Sequence, residues 1–415
     1  MIMNTGDSAW VLASTALVFF MTPGLALFYG GMVRRKNVLN TIMLSFVIVG
    51  LASVMWVLTG YTMAFGPDMG GVIGSFQWFG LNGVSWDPNP DYSATIPHNL
   101  FAAFQMMFAV ITPALIIGAL VERIRFSSLI VFIAAWSILV YYPMAHMMWG
   151  VGGILRELGA VDFAGGNVVH ISSGVSALVA SIILGKRRGI GMTSYHPHNI
   201  PLVFLGAAIL WFGWFGFNAG SALGANGLAV HAFITTNTSA ATAVLSWMLV
   251  ERILRGKSTL LGAATGAVVG LVAITPAAGF VPIWASIIIG ALVSPICYFA
   301  LGFLKGKFGY DDALDAFGCH GVGGIWGGVA TGLFAKTSIN SAAQWNGLIF
   351  GGAELFKAQL IAIVTTIALS AVMTAIIMGV LKMAMRIRVT GSEEAIGLDL
   401  TEHSENAYPA FQGMD

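Results

Sequence analysis

Charge is what this chain has least of. Only 9% of its residues are Asp, Glu, Lys or Arg, where a water-soluble domain carries roughly a quarter, so a globular surface facing water is excluded. Cysteine is almost absent: Cys297 and Cys319 both fall in apolar segments, which argues against a disulfide framework and for small buried hydrophobes. GxSxG, HExxH and paired intramembrane aspartates are also missing, so an intramembrane enzyme would lack its nucleophile or metal ligands. No enzymatic activity, cofactor or nucleic-acid partner is expected. What remains is apolar, with 57% hydrophobic residues and a mean hydropathy of +0.84, the few charges being bunched between long uncharged runs.

A helix crossing a lipid bilayer needs about 20 apolar residues. Such runs occur at 8–32, 39–65, 98–121, 127–148, 164–185, 201–219, 229–250, 259–276, 280–304, 317–334 and 353–383, which predicts an all-α polytopic membrane protein with eleven transmembrane helices. The weakest boundary is marked only by Pro276, Ala277, Ala278 and Gly279. Basic residues test the count, because cytoplasmic loops collect Lys and Arg. With the N-terminus outside, alternate loops hold Arg34, Arg35 and Lys36; Arg123 and Arg125; Lys186, Arg187 and Arg188; Arg252, Arg255 and Lys257; Lys305 and Lys307. With Lys382, Arg386 and Arg388 of the tail these are 16 of 19 basic residues, against Arg156, Lys336 and Lys357 on the other side. Shifting the count by one span scrambles the segregation, so the expected topology in the cell membrane is N-out, C-in. The first run has no basic region before it and no small-residue cleavage site, so removal as a signal peptide is not expected.

No hydrophilic domain interrupts the runs; residues 1–384 read as one membrane domain and 385–415 as a cytoplasmic tail. Five spans in each half, the first set starting outside and the second inside, predict an inverted 5+5 pseudo-repeat plus a long final helix. Transporters place their conducting site at such a repeat interface. Two histidines fit this symmetry: His170 and His320 lie early in spans five and ten, each after an aspartate, Asp162 and Asp315. Aspartate is also an ordinary helix cap, which is an equal account of the acidic residues but not of the histidines, since an ionisable side chain at membrane depth marks a site. A zinc site wants three or four ligands. Only Cys319 lies near, and adjacent helical residues point about 100° apart, so no metal is expected. A facing pair of imidazoles in an apolar lumen is expected to be neutral, one ring donating a hydrogen bond to the other. Such a pair suits a proton or a small neutral polar molecule. Glycines at four-residue spacing, Gly262, Gly266 and Gly270, then Gly324, Gly328 and Gly332, read as close helix packing; no strand or Walker lysine accompanies them.

The segment from Leu210 to Ser221 is rich in aromatics and heads outward, which brings Phe217, Asn218 and Ser221 towards the outer mouth; Trp149 follows span four on the same side, and Phe108 lies in span three. Interfacial Trp is ordinarily a lipid anchor, the default for Trp10, Trp78 and Trp86. Aromatic faces converging with a hydroxyl instead hold a small cation, worth about 0.5–2 kcal/mol.

The strings Phe28-Tyr-Gly-Gly, Gly118-Ala-Leu-Val-Glu-Arg-Ile-Arg125, Asp162-Phe-Ala-Gly-Gly-Asn-Val-Val-His170, Gly213-Trp-Phe-Gly-Phe-Asn-Ala-Gly-Ser221 and Asp315-Ala-Phe-Gly-Cys-His-Gly321, in order from first span to tail, resemble the ammonium transporter family of the Amt/Mep/Rh superfamily. The resemblance implies a homotrimer of eleven-helix subunits, each with its own pore for ammonium or ammonia, with methylammonium as an analogue. By matching position it implies an outer recruitment site at Trp149, Phe108 and Ser221, a gate of Phe108 and Phe217, and twin lumen histidines at His170 and His320. It also implies a supporting role for Asp162 and a pore-lining place for Trp214, with Asn218 beside the site as a further supporting residue. Histidine at the first twin position follows the bacterial and archaeal pattern, where some fungal members carry glutamate; Cys319 departs from a common apolar residue. Trp149 sets the chain apart from Rh-type gas conduction.

The resemblance implies capture of ammonium outside, deprotonation near the gate and passage of ammonia along the histidines. The tail from Gly397 to Tyr408, which composition alone reads as solvated and disordered, resembles the family's cytoplasmic motif that packs on inner loops. The inner face in this family docks a PII-type, GlnK-like signalling protein, and so the alternative is an ammonium sensor with little flux. The inner loop Tyr195-His-Pro-His-Asn199 ahead of Pro201 reads as a helix cap and not as ligands.

Overall fold

The computed structural model describes residues 2–192 and 195–408. Eleven helical segments follow in order: α1 (Thr5–Met32), α2 (Arg35–Phe65), α3 (His98–Leu120), α4 (126–149), α5 (Gly166–Leu184), α6 (Ile200–Gly220), α7 (Gly227–Arg255), α8 (Leu260–Ile274), α9 (Ile283–Phe308), α10 (317–334) and α11 (Ala353–Ala384). Among the described residues nine are long and apolar enough to cross a membrane by length and composition. The remaining two stand where the sequence predicts spans: α8 has 15 residues, and α10 opens with a π-helical stretch, Phe317–Val322, before its α-helical part. The turn expected near 276–280 is present, bridged by hydrogen bonds from Ala277 N–H to the Ile274 carbonyl and from Phe280 N–H to the Ala277 carbonyl. Loop decoration is slight. The hairpin β1 (Asp68–Met69) with β2 (Ile73–Gly74) pairs Met69 with Ile73, and β3 (Pro88–Asn89) with β4 (Ser93–Pro97) pairs Pro88 with Pro97.

Large apolar side chains stand exposed along the outer faces of the helices, among them Phe19 and Phe46, Leu245 and Leu249, Phe299 and Phe303, and Val364, Val372 and Val380. A water-soluble monomer does not expose such extensive apolar surface; these faces are lipid- or protein-covered, and the chain is a multi-pass membrane protein. Inside, small residues let helices touch. α1 packs along α6, where Gly31 meets the backbone of Asn199 and Val203, and Gly216 meets Ser14. α5 and α10 cross where a methyl on Gly174 would overlap the Gly321 backbone, and where one on Gly324 would press on Ile171 and His170. The glycine rows thus serve close backbone approach, which in lipid supplies van der Waals contact that the hydrophobic effect does not.

α5 and α10 resemble each other in detail. Each begins in a π-helical turn, Gly166–Ile171 and Phe317–Val322, that carries its histidine. Each is capped by an aspartate eight residues before that histidine: Asp162 accepts N–H bonds from Gly165, Gly166, Asn167 and Val168, and Asp312 accepts from Ala316 and Phe317. The expected partner Asp315 is not the cap. Its backbone is left-handed at φ 59°, and its carboxylate receives Lys305 Nζ at 2.7 Å.

At the opposite end from Asp162, buried ions tie four loops together. The Glu122 carboxylate accepts from Arg34, Asn37 and Arg187, each at 2.9 Å, and Arg187 grips Asp311 with Nε and Nη2. Burial works against both carboxylates, yet Arg34 and Arg187 hold Glu122 below the usual range, and Arg187 with Arg123 does the same for Asp311. At Asp312 burial, reinforced by Asp315 and only partly offset by Lys305, pushes the carboxyl up to about 6. The tail folds onto these loops through α12 (Gly391–Ile396) and α13 (Leu398–His403). Leu398 N–H donates to Asn37, Asn40 N–H to Asp399, and Phe126 N–H to Glu402. The tail is therefore ordered from its start to Tyr408, against what its composition alone predicts; residues 409–415 lie outside the described residues. His198 is bonded between the Val33 carbonyl and the Tyr408 hydroxyl, and Asn199 caps α6 by accepting from Leu202 N–H.

Candidate conduction pathway

A vestibule of about 300 Å³ opens where α3 begins and α4 and α6 end, beside the Asp162 turn. Phe108, Trp149, Ser221 and Asp162, separated by up to 113 positions in sequence, all line it. Trp149 ends α4, and its indole N–H donates to the Asp162 carbonyl at 2.8 Å. That fixes the ring edge-on to Phe108, with centroids 6.0 Å apart and planes at 89°. The Ser221 hydroxyl donates to the Phe217 carbonyl at 2.8 Å, so its lone pairs are what it offers to a visitor. The Asp162 carboxylate is spent on four backbone amides, and the residue supports the site through its backbone.

The vestibule floor is Phe108 and Phe217. Their rings lie 4.3 Å apart at 27°, each 1% exposed. Beyond them is an enclosed space of about 10 Å³, about one water-sized probe. Its walls are apolar apart from His170, His320 and Trp214, and include Phe28, Ile111 and Leu210. His170 lies between Trp214 and His320, 5.4 Å from each ring, with planes at 22° and 16°. The hydrogen bond expected between the imidazoles is not made. Among the described residues both ring nitrogens of His170 and Nδ1 of His320 are buried without a partner, and the neighbouring Trp214 directs its own N–H to Thr275. Unsatisfied buried nitrogens are costly. Here they belong to two residues that line a space in which a small hydrogen-bonding molecule fits.

Asn218 is not in the site. It lies fully buried on the far side of α6, donating to Thr236 of α7. Two vestibule residues escape the sequence reading. Gln105, one helical turn before Phe108, lines the cavity with a buried Oε1 that has no partner; its i, i+3 spacing from Phe108 is the signal that could have found it. Arg156, one of the few basic residues on its side, lines the rim. Among the described residues no group of three or more His, Cys, Asp or Glu is arranged to hold a metal ion.

Fold and site together define a polytopic helical membrane protein with an aromatic vestibule, a phenylalanine barrier and a histidine-lined lumen sized for a small molecule. Residues 9–408 match the Ammonium Transporter Family. An ammonium transporter of Bacillus subtilis is 55% identical over 406 residues, covering 98% of this chain and 99% of the relative. Ammonium transporter Amt1 of Archaeoglobus fulgidus is 47% identical, covering 98% and 100%. The crystal structure of Saccharomyces cerevisiae Mep2 superposes with a TM-score of 0.88 at 36% identity, over 94% of this chain and 88% of that one, and a structure titled Sensor Amt Protein with 0.87 at 29%, over 96% and 98%. The chain belongs to the ammonium transporter family, and its function is ammonium transport.

Proposed function

We propose that ammonium is recruited at Trp149, Phe108 and Ser221, loses its proton near the Phe108/Phe217 gate, and crosses as ammonia along His170 and His320. The observation that carries this reading is the set of unpartnered imidazole nitrogens below a closed aromatic barrier. A cation meeting that apolar lumen loses its hydration without replacement, whereas neutral ammonia needs only one or two hydrogen bonds. Ammonium and potassium are similar in size and charge, and cation–π attraction alone separates them poorly. Directed N–H donation to the Ser221 lone pairs, followed by deprotonation, is available to ammonium only. The released proton either returns to the outer solution or follows separately through the histidine pair, and current measured in liposomes distinguishes the two.

The same reading has all eleven helices crossing the bilayer, N-terminus outside and tail inside, with the basic loops and the ion cluster of Glu122, Arg187 and Asp311 at the cytoplasmic face. The matched caps, π-turns and glycine crossings of α5 and α10 support an inverted 5+5 pseudo-repeat. We further propose a homotrimer in which residues 1–384 conduct and the tail from 385, docked on the inner loops, forms a regulatory surface with them for a PII-type partner. The sensor reading gains no specific support from the site, whose lumen is built for passage.

Trp149→Leu tests the recruitment site. Loss of a cation–π contact worth about 0.5–2 kcal/mol predicts a KM for methylammonium uptake raised about two- to thirtyfold, with the maximal rate little changed. An unaltered KM would remove Trp149 from recruitment.

A further inference from the structure

Arg156 presents a puzzle, because a guanidinium at the rim of a vestibule that gathers cations repels them. It lies on the one-turn helix Ile154–Glu157, exposed, and lines the same cavity as Trp149 and Asp91. It appears in no ion pair among the described residues. Its Nη1 donates instead, at 2.8 Å, to the backbone carbonyl of Trp149.

That carbonyl belongs to the last turn of α4, which ends as Gly150 takes up extended backbone. Carbonyls in a last turn have no intrahelical donor, and a basic side chain from just beyond the helix is one of the standard ways to satisfy them. The Gly150 N–H bonds back to His146 and Ala145, which closes the helix at Trp149 and leaves the Trp149 carbonyl to Arg156. Trp149 is thereby held at two atoms. Its indole N–H is fixed to the Asp162 carbonyl and its backbone to Arg156. A side chain held only at the ring can swing about its backbone, and one held only at the backbone can change rotamer. Held at both, its face stays edge-on to Phe108.

We propose that Arg156 is a positioning residue for the outer recruitment site: it sets the aromatic face of Trp149 on the substrate, and its hydrogen bond outweighs the repulsion its charge exerts on incoming ammonium. The inference rests on the reading of Trp149 as part of that site. Substrate affinity, not lumen passage, is what Arg156 controls.

The test is concentration-dependent methylammonium uptake into proteoliposomes by the full-length protein, by Arg156→Ala, Arg156→Lys and Trp149→Leu, and by the double variant Trp149→Leu/Arg156→Ala. Loss of one hydrogen bond predicts a KM raised about three- to tenfold for Arg156→Ala with a maximal rate within about twofold. Lysine, which keeps a donor for the carbonyl, should recover most of that loss. On the Trp149→Leu background, Arg156→Ala should change KM little, the non-additivity expected of two residues acting as one unit. A lowered KM in Arg156→Ala that high salt abolishes would overturn the proposal in favour of simple charge repulsion. So would an unchanged KM, a lysine variant no better than alanine, or a full Arg156→Ala effect persisting without Trp149. If Arg156→Ala does not yield folded protein, the lysine variant decides: a KM near the original supports positioning, and one raised as far as in Trp149→Leu opposes it. Should Trp149→Leu itself leave KM unchanged, the recruitment-site reading fails, and this is separable from failure of the role given to Arg156.

Discussion

Replacing His170 with leucine is expected to lower ammonium flux by about thirtyfold or more. Leucine keeps the helix propensity and much of the bulk of the imidazole while deleting two unpartnered ring nitrogens from the lining of the roughly 10 Å³ lumen. Burying a polar solute without a hydrogen-bond partner costs about 2–7 kcal/mol, and each 1.4 kcal/mol is about a factor of ten. Neither nitrogen bonds the protein, so their loss orphans no other group, and thermal stability should move by only a few degrees. The combination of intact fold and lost flux separates a pathway role from a structural one. Ammonium-driven current and the accompanying pH change in liposomes, at matched protein content, provide the measurement. Flux and selectivity preserved in His170→Leu would take the histidines out of the route.

Asp162→Ala is expected to damage fold and transport together. The carboxylate accepts four backbone N–H groups at 2.6–3.2 Å, fixing the turn at Gly165, whose φ of 119° suits only glycine, and starting the π-turn that carries His170. Hydrogen bonds to a charged group are worth about 1.5–3 kcal/mol each, and buried donors left without one carry a further penalty. A loss of about 3 kcal/mol or more is therefore expected, seen as a clear drop in melting temperature. Trp149 hangs from the carbonyl of the same residue, so movement of the turn also loosens the vestibule, and uptake should fall about tenfold or more, since misplacement by about 1 Å can cost a hundredfold. Asp162→Asn, with one acceptor oxygen left, should be intermediate in both. A melting curve and uptake rate unchanged in the alanine variant would mean that the turn is held by packing alone.

The spans were readable because lipid demands long uncharged runs and the loops punctuate them with basic residues. The run at α8 shows where that logic weakens: a helix enclosed by protein can be shorter than the lipid-facing ones. The histidines announced themselves as ionisable groups in apolar segments, but the vestibule did not, since periodicity along α3 cannot tell whether Phe108 meets Trp149 or a lipid. Resemblance identified those partners, and the structure brings Phe108, Phe217, Trp149, Ser221, His170, His320 and Trp214 together. Asn218 was misplaced because a helical rotation of about 100° from Phe217 turns it to Thr236 on α7. Asp315 was named because it precedes His320 closely in sequence; the amides of Ala316 and Phe317 instead face Asp312, while Asp315, left-handed in backbone, meets Lys305. The bond between the imidazoles was expected on the rule that buried polar groups pair; in the lumen both nitrogens of His170 and Nδ1 of His320 stay unpaired. Arg156 was counted as a charge on the sparse side of the membrane, and its hydrogen bond to a helix end has no signature in sequence.

The most direct test of the account compares ammonium with potassium on purified protein in liposomes, following current and internal pH as each cation is added. The account predicts a saturating response to ammonium that exceeds potassium at least about a hundredfold, the dehydration penalty in the apolar lumen excluding the bare ion. An equal response to potassium would contradict deprotonation at the gate, and no ammonium response above that of protein-free liposomes would contradict conduction itself.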